Sequence, residues 1–529
     1  MPHAGCLNCG FRFEKRRGSK MAAVVIRYAG TRRMLPLDAP TLLSALLEQA
    51  EVPLAKPCGG AHTCGKCKVR AYGALSPLSQ EERRLLTIGE QLENWRLACA
   101  AEAVGDCTVE IGEAVSAQIQ TAGQVNSWEG SSLFGAEGYA LAADIGTTTV
   151  AVYLVSLSEP FSGACPSTSE LNAQAPYGAD VISRIASVSQ KGVVPLREAI
   201  LRQLDRLFIS LLETAGVPKQ AVRGVVLTGN TTMLHLAAGL DPSGIAAAPY
   251  IPQSLFGVLY SARGWFPSLS PAVQVYLAPC ISAYLGGDLT CALLSSPLRQ
   301  WELLIDVGTN GEMALMTPDG LFCCSTAAGP AFEGAGLRCG RTAGPGAIDR
   351  VAIREGIPDC RVIGGGPALG ICGTGAIHAV AALLEAGLLD ETGLLDERYG
   401  EEFPLQNGVV LTQQDIRQLQ LAKAAIAAGA DTLLHHAGVS CDRLAGVSLA
   451  GGFGSYIDPA AAMRIGLLPR ISAPVVSMGN AAGMGACLCA QSEPALHEAE
   501  RIAQDARTIE LASDPFFNER YIEQMLFTP

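Results

Sequence analysis

The sequence predicts a multidomain protein that combines an α+β domain with an α/β body: a small N-terminal domain, a linker, and a body of two related lobes. Three observations lead to this prediction. Four cysteines near the N-terminus follow a metal-ligand spacing, a stretch rich in Ala, Gly, Ser and Gln comes after them, and the remaining residues contain one pair of motifs twice in the same order. A chain of 529 residues has room for three or four domains of about 150 residues each.

The composition excludes two broad classes of protein. Hydrophobic residues make up 49% of the chain and charged residues 17%, so a sizeable core can form and a disordered chain is excluded. The net charge of −12 argues against nucleic acid as the main partner, since phosphate binding needs a basic face. The longest uncharged run, about 363–384, is interrupted by glycines and a proline. We therefore expect no membrane partner and a soluble, cytoplasmic protein.

The spaced cysteines are predicted to ligate a 2Fe–2S cluster. Cys58, Cys64 and Cys67 have the spacing C-x5-C-x2-C, and Cys99 follows 32 positions after Cys67. Three thiolates on one loop and a distant fourth are typical of 2Fe–2S ferredoxins. The longer first gap is more like the vertebrate-type and bacterial hydroxylase ferredoxins than the plant type. A zinc site and coincidence are the alternatives, although zinc sites usually pair two short C-x2-4-C segments.

The flanking segments predict a β-grasp ferredoxin fold over residues 21–111, with two short strands, a helix, and further strands after the cysteine loop. Residues 1–20 are expected to be a basic, disordered extension, and a metal site at Cys6 and Cys9 is the alternative. Residues 112–138 show no sustained periodicity and are expected to be a flexible linker. Such a linker would let a tethered electron carrier reach more than one partner.

An internal repeat organises the rest of the chain. The strand-like run that ends at Asp144-Ile-Gly-Thr-Thr148 is echoed by the run that ends at Asp306-Val-Gly-Thr-Asn-Gly311. A second pair of apolar runs follows in the same order, and these end in glycine turns at Gly229 and at 451–454. Paired signals in parallel order predict two homologous lobes, over residues 139–300 and 301–529.

The repeated motifs fit nucleotide binding between the lobes. Turns of Gly and Thr present backbone N–H groups and hydroxyls to phosphate oxygens, and an Asp can hold Mg²⁺, usually through waters. Glycines also let the chain approach an adenine–ribose unit without Cβ clashes. Ordinary hairpin turns are the alternative explanation. The residues predicted to bind the nucleotide are Gly146, Thr147, Thr148, Gly308, Thr309, Asn310, Gly451, Gly452 and Gly454.

These motifs resemble those of the actin, sugar-kinase and heat-shock-chaperone ATPase superfamily. Asp144–Thr148 is similar to its first phosphate motif, Asp306–Gly311 to its second, and Ala450–Gly454 to its adenosine motif. Residues 371–376 and 480–485 are similar to its two interlobe connecting segments. The resemblance implies a two-lobed, duplicated ribonuclease-H-like fold that binds ATP and Mg²⁺.

A 2Fe–2S ferredoxin ahead of such an ATPase resembles the reductive activators of corrinoid proteins, from about residue 21 to the C-terminus. The resemblance implies an ATP-dependent iron–sulfur reductase that returns an inactive Co(II) corrinoid protein of a methyltransferase system to Co(I). It also implies a low-potential cellular electron donor and a homodimer. Some relatives carry C-terminal 4Fe–4S cysteine motifs and a separate middle domain before the first phosphate motif, and this sequence departs from both patterns.

Asp144 and Asp306 are the predicted catalytic residues, with Asp306 expected to orient the attacking water and Glu312 and Glu333 as further candidates. Two other functions remain open at this point. One is an activator of a different low-potential acceptor, and the other is a nucleotide-switched binding module whose cluster senses the redox state.

Overall fold

The protein is described from a computed structural model. It describes residues 22–28, 31–50, 52, 54, 60, 62, 65–86, 88–111, 128, 130–454 and 456–527. These residues fall into two compact units, the first formed by described residues of 22–54 and 65–111 and the second by residues 60 and 62 with those of 128–527. The expected extension over residues 1–20 and most of the expected linker lie outside the described residues.

The first unit is a mixed sheet covered by short helices. The sheet has the strand order β2-β1-β6-β4-β5, with β3 against β6, and β1 pairs with β6 in parallel while the other pairs are antiparallel. Helix α1 places Leu43, Leu46 and Leu47 in the core beside Val24 and Val69. The apolar residues three and four positions apart give this short helix one buried face. The elements are β1 Ala22–Tyr28, β2 Thr31–Leu37, β3 Thr41–Leu42, α1 Leu43–Gln49, β4 Lys68–Leu75, α2 Gln80–Leu85, α3 Ile88–Leu92, β5 Trp95–Leu97 and β6 Glu102–Glu110.

The second unit begins with a lobe built on one twisted sheet of order β11-β12-β10-β7-β8-β9. Its central strands are almost entirely buried, as expected for a sheet with both faces covered. The elements of this lobe are β7 Tyr139–Ile145, β8 Thr149–Ser156, β9 Ser167–Leu171, α4 Val181–Lys191, α5 Val194–Ala215, β10 Val222–Gly229, α6 Thr231–Ala238, α7 Ser243–Ala246, β11 Val258–Ser261, β12 Gln274–Leu277 and α8 Gly287–Ser295.

The following lobe is built on a second sheet, of order β22-β21-β13-β14-β15-β23, with two smaller sheets beside it. Its elements are β13 Glu302–Val307, β14 Gly311–Thr317, β15 Gly320–Thr326, β16 Ala347–Arg354, β17 Ile357–Val362, β18 Gly370–Ile371, α9 Gly373–Glu385, β19 Glu402–Pro404, β20 Val410–Thr412, α10 Gln413–His436, β21 Gly446–Ala450, α11 Gly451–Gly454, α12 Pro459–Arg464, β22 Val475–Ser477, α13 Ala481–Gln491, α14 Glu493–Asp505, β23 Arg507–Thr508 and α15 Pro515–Glu523.

Five strands of each large sheet share one topology, which confirms the predicted duplication. In the first, β7, β8 and β9 form an antiparallel meander, and β10 and β12 extend it in parallel from β7. In the second, β13, β14 and β15 form the same meander, and β21 and β22 extend it in parallel from β13. The predicted fold class, a small ferredoxin-like domain before a duplicated two-lobed body, is therefore confirmed.

Helix α13 packs so closely on helix α8 and on strand β8 that two of its positions have no room for a Cβ. A Cβ on Gly485 would lie 1.9 Å from the carbonyl oxygen of Cys291 on α8, and a Cβ on Gly483 would lie 2.4 Å from the hydroxyl of Tyr153 on β8. A Cβ this close to a neighbouring atom forces that neighbour to shift, and at Cys291 the neighbour is backbone. The close crossing fixes where the start of α13 lies against the sheet of the first lobe.

Residues 130–138, within the expected linker, pack against the rest of the second unit. The hydroxyl of Ser132 donates to the carbonyl oxygen of Ala490 at 2.6 Å, and the backbone N–H of Glu493 donates to the carbonyl oxygen of Ser131 at 3.0 Å. The ring of Phe134 lies against Gly224, where a Cβ would be 2.2 Å from it. These contacts hold the stretch in place, including apolar side chains such as that of Phe134.

Among the described residues, every helix is too short or too polar to cross a bilayer.

We predict that Gly485→Ala lowers the free energy of unfolding by about 1–3 kcal/mol, because the added methyl group overpacks the α8–α13 crossing. Denaturant unfolding of the whole protein measures the change. The control is Gly446→Ala, where a Cβ would lie 3.4 Å from its nearest neighbour, an ordinary contact. Equal stabilities for the two variants would contradict the prediction.

Candidate functional site

Two of the four predicted cluster ligands meet inside the first unit. The sulfur atoms of Cys67 and Cys99 lie 3.2 Å apart, and their residues are 2% and 4% exposed. Cys67 directly precedes β4 and Cys99 follows β5, and the N–H of Ala98 donates to the carbonyl oxygen of Cys67 at 2.8 Å. Buried thiols side by side suit thiolate ligation of iron. Cys58 and Cys64 lie outside the described residues.

A buried ion pair holds the segment that carries Cys99. The carboxylate of Glu82 accepts from Arg96 Nε at 2.8 Å and Nη2 at 2.9 Å, and from the backbone N–H of Leu97 at 3.0 Å. Burial raises the pKa of Glu82, but the bonds from Arg96, Ser79 and Leu97 outweigh it and the pKa lies below its ordinary value. Glu82 therefore fixes the backbone two residues before Cys99 as a charged, fully bonded group.

In the second unit, the predicted phosphate motifs form the turns of the two central hairpins. Asp144 lies near the end of β7 before the turn at 146–148, and Asp306 lies near the end of β13 before the turn at 308–310. The carboxylate of Asp144 accepts from Asn480 Nδ2 at 2.9 Å, and Asn480 caps the first turn of α13. The start of the connecting helix α13 is thereby tied to the first phosphate hairpin.

Four carboxylates lie close together at this place: Glu312 is buried, and Asp144, Asp288 and Asp306 are half-buried. Burial raises the pKa of Asp144 to about 6, against a lowering by its bond from Asn480. Burial and the charge of Asp144 raise the pKa of Asp306 to about 7.

Asp288 and Glu312 complete the group. Burial, then the charges of Asp306 and Asp144, raise the pKa of Asp288 to about 7. Burial, then Asp288 and Asp306, raise the pKa of Glu312 well above its ordinary value. Repelling carboxylates that share a buried site favour a cation or protons between them. Within the described ranges, no three His, Cys, Asp or Glu residues are grouped closely enough to hold a metal ion. Carboxylate oxygens are ligands that Mg²⁺ prefers, and Mg²⁺ usually keeps several of its waters.

The hairpin turns are held by side chains from several elements. Asn230 Nδ2 donates to Thr147 Oγ1 at 3.0 Å, and Arg184 Nη2 donates to the carbonyl oxygen of Thr147 at 2.5 Å. Arg184 on α4 is fully buried, and burial lowers its pKa to about 10, so it remains a cation at neutral pH. A positive charge directly behind a phosphate turn favours an anion in front of it.

The predicted adenosine turn lies against the second aspartate. Gly451 directly follows β21, which pairs with β13 so that Ala450 is opposite Asp306. With φ of +86°, Gly451 adopts a conformation that disfavours side chains, and a Cβ there would lie 2.4 Å from Asp306 Oδ1. Gly452 is exposed and has open space around it, and Gly454 is buried.

The structure thus gathers the predicted residues of both lobes in one part of the second unit. Glu333, a further candidate, bridges the hairpins by accepting from Thr148 Oγ1 at 2.7 Å and Thr309 Oγ1 at 2.9 Å. Sequence reasoning missed the place of Asp288, for which the signal was the pair of glycines before it. It also assigned no role to Arg184, Asn230 or Asn480, because single polar residues carry no spacing signal.

We predict that Glu82→Gln accelerates loss of the iron–sulfur absorption by several-fold in mild urea, since removing one charge of a buried pair costs about 3–5 kcal/mol. The visible spectrum of the reconstituted protein measures the rate. Glu93→Gln is the control, because Glu93 pairs with Arg70 at an exposed site. Equal rates for the two variants would show that the buried pair does not secure the cysteine segment.

We predict that Asp306→Asn raises the thermal midpoint of the metal-free protein at pH 8. With a folded pKa near 7 and an ordinary value of 3.8, Asp306 holds a proton in the folded state that the unfolded chain loses. Wild-type stability therefore falls as pH rises from about 4 to 7, and the asparagine variant escapes that loss.

The gain at pH 8 is expected to be at least about 2 °C and to shrink toward pH 5, as measured by scanning calorimetry with a chelator present. Asp319→Asn, at an exposed turn, is the control. A midpoint that falls at pH 8 would contradict the buried repulsion.

Comparison with known proteins agrees with this arrangement. The model of the 2Fe–2S iron–sulfur cluster binding domain matches residues 27–104, that of the RACo middle region matches 139–300, and that of the C-terminal domain of RACo, the ASKHA domain, matches 300–529. The chain therefore contains a cluster-binding ferredoxin domain and the ATPase-type body that the repeat predicted.

Individual relatives extend over most of the chain. The corrinoid activation enzyme RamQ of Eubacterium limosum is 35% identical over 419 residues, 74% of this chain and 70% of that protein. The [Co(II) methylated amine-specific corrinoid protein] reductase of Methanosarcina barkeri is 27% identical over 376 residues, 65% of this chain and 68% of that protein. A solved structure described as a reductive activator for corrinoid, iron–sulfur protein covers 96% of this chain and 98% of its own, with 28% identity and a TM-score of 0.66. With this ferredoxin domain ahead of a duplicated ASKHA body, the chain belongs to the family of reductive activators of corrinoid proteins.

Proposed function

We propose that this enzyme uses ATP to drive one electron from a 2Fe–2S cluster to an inactive Co(II) corrinoid protein and so restores Co(I). One observation carries the proposal: a single chain contains both a buried pair of ligand-type thiols, Cys67 and Cys99, and a duplicated pair of phosphate-type hairpins. When electron transfer is energetically uphill, a chain that holds both a redox group and a nucleotide site can use ATP to drive it. The named relatives act on corrinoid proteins, which supports cobalt as the acceptor.

The cluster ligands are proposed to be Cys58, Cys64, Cys67 and Cys99. A cluster bound there supplies a one-electron carrier. The chain's own contribution is to hold the thiolates in place, and the bonds that Glu82 accepts from Arg96 and Leu97 do this for the segment of Cys99. A buried pair of sulfur atoms also shields a carrier from water.

The nucleotide is proposed to bind between the turns at 146–148 and 308–310, with the glycine turn at 451–454 against its adenosine. Threonine hydroxyls and backbone N–H groups of the turns donate to phosphate oxygens. Asp144 and Asp306 would hold Mg²⁺, which would supply the positive charge that offsets their mutual repulsion. Asp306 orients the water that attacks the terminal phosphate, and the buried Arg184 stabilises the negative charge in front of Thr147.

Nucleotide binding can drive the uphill electron transfer only if one conformation of the enzyme binds both ATP and the Co(II) partner more tightly than the other conformation does. ATP must therefore favour the conformation that engages the Co(II) partner, and by reciprocity the partner must raise the affinity for ATP. ATP hydrolysis then removes this preference, so that the enzyme can leave the conformation that engages the partner. The contact between Asn480 and Asp144 supports this coupling, since it joins the start of α13 to the first hairpin.

The setting of the reaction is also part of the proposal. The enzyme works as a homodimer in the cytoplasm and receives its electron from a low-potential cellular donor, as the resemblance of the sequence to its family implies. Light scattering of the purified protein measures the oligomeric state directly.

The function is tested with the anaerobic, reduced protein and a Co(II) corrinoid protein, by following the Co(I) absorption band with and without Mg–ATP. We expect Co(I) only with Mg–ATP. Cys67→Ala and Asp306→Ala are each expected to reduce the rate by at least about 100-fold, because an essential ligand or a preorganised charge is lost.

Cys107→Ala is the matched control, a buried cysteine of the same unit outside the ligand pattern. It is expected to retain the rate. Co(I) formation that ignores nucleotide or survives Cys67→Ala would overturn the proposed function, and ATP turnover without cobalt reduction would favour a nucleotide-switched redox sensor.

A further inference from the structure

A short segment between two glycines contacts both phosphate hairpins and the glycine turn of the proposed nucleotide site. It is the 3-10 helix Pro330–Glu333, flanked by Gly329 and Gly334 with φ values of +78° and +76°. The N–H of Gly329 donates to the carbonyl oxygen of Thr309 at 2.8 Å, which anchors the segment to the second phosphate hairpin. Because glycine is less restricted in its backbone conformation than other residues, the chain can hinge at both ends of this segment.

The last residue of the segment joins the two hairpins. Glu333 Oε2 accepts from the hydroxyl of Thr148 at 2.7 Å, and Glu333 Oε1 accepts from the hydroxyl of Thr309 at 2.9 Å. Thr148 lies in the turn after the first Asp-x-Gly motif and Thr309 in the turn after the second, so one carboxylate links the phosphate turns of the two lobes. Hydrogen bonds to an ionised acceptor are roughly twice as strong as neutral ones.

These two bonds and a bound phosphate compete for the same protons. A threonine hydroxyl has a single proton to donate. While that proton points to Glu333, it cannot also be donated to a phosphate oxygen. A nucleotide whose phosphates take both hydroxyls therefore removes both donors from Glu333 and places negative charge beside its carboxylate, which the carboxylate must then move away from.

The rest of the segment contacts the adenosine turn and a connecting helix. The ring of Phe332 stacks on that of Phe453, with 5.6 Å between centroids and 10° between planes. Phe453 lies inside the glycine turn at 451–454. The carbonyl oxygen of Phe332 lies over Gly373, the first residue of α9, where a Cβ would be only 1.7 Å away.

We propose that Glu333 is a positioning residue that clasps the two phosphate hairpins together in the nucleotide-free protein and releases them when phosphate takes the hydroxyl protons of Thr148 and Thr309. On release, the segment 329–334 moves between its hinge glycines and carries the change to Phe453 and to the start of α9. This inference rests on the proposed nucleotide binding of the second unit.

The test measures the affinity of the full protein for a nonhydrolysable ATP analogue, adenylyl imidodiphosphate with Mg²⁺, by isothermal calorimetry. Glu333→Ala is expected to bind it roughly thirtyfold more tightly, because it removes two competing bonds with a net value of about 1 kcal/mol each. Glu333→Gln fills the same volume without the charge, so it is expected to tighten binding in the same direction. A purely structural role would weaken binding or leave it unchanged.

A double-mutant comparison tests whether Glu333 and the phosphate compete for the hydroxyl protons of Thr148 and Thr309. In a Thr148→Val, Thr309→Val background, Glu333→Ala is expected to change the affinity by less than about twofold, because no shared donor remains. Glu385→Ala is the control, since it removes one exposed negative charge from the end of α9 in the same lobe. It is expected to bind like wild type.

Hydrogen–deuterium exchange gives a second readout. We expect the amides of 329–334 to exchange faster in wild type once the analogue binds, and to exchange fast in Glu333→Ala with or without it. Weaker or unchanged binding in both Glu333 variants, or exchange that ignores the analogue, would overturn the clasp. A wild-type protein that binds no nucleotide would overturn the proposed function instead.

Discussion

The mutual repulsion of buried carboxylates is the constraint on which the second unit depends. Asp144 and Asp306 lie near the ends of corresponding strands in two sheets, with Asp288 and Glu312 beside them. Burial raises the pKa of each of these groups, so their ionised forms are costly at this place and a cation that compensates the charge lowers that cost. A site of this kind has a reason to bind a metal–nucleotide, and the remaining architecture serves to hold it together.

Contacts around the carboxylates connect them to the helices and turns of both lobes. Asn480 connects α13 to Asp144, while Gly485 lets α13 pack on the carbonyl oxygen of Cys291 in α8. Gly451 leaves space for Asp306 where any side chain would collide with it. A change at the carboxylates therefore reaches rigid helices through direct contacts, which is the physical requirement for coupling nucleotide state to a partner.

The first unit also relies on buried polar contacts, which here hold a cysteine segment in place. Its core buries a charged pair, Glu82 with Arg96, that a sheet of this size can hold only because every carboxylate oxygen accepts a bond. The pair fixes the strand that leads to Cys99, beside Cys67. Precision at the thiols is thus obtained from polar contacts rather than from apolar packing alone.

The sequence by itself determined the fold class, the duplication and the motifs, because strand periodicity, cysteine spacing and glycine turns are local patterns that a chain displays in order. Asp144 and Asp306 were recognisable because each ends an apolar run before a Gly-Thr turn. The packing of 130–138 was not predictable, since its anchors, such as Ala490, lie more than 350 residues away. Only the tertiary structure brought Asp288 to the carboxylates, Arg184 behind Thr147, and Glu333 between two hairpins. Those contacts join residues distant in the chain, and the burial and electrostatics that give them meaning exist only after the two lobes have folded.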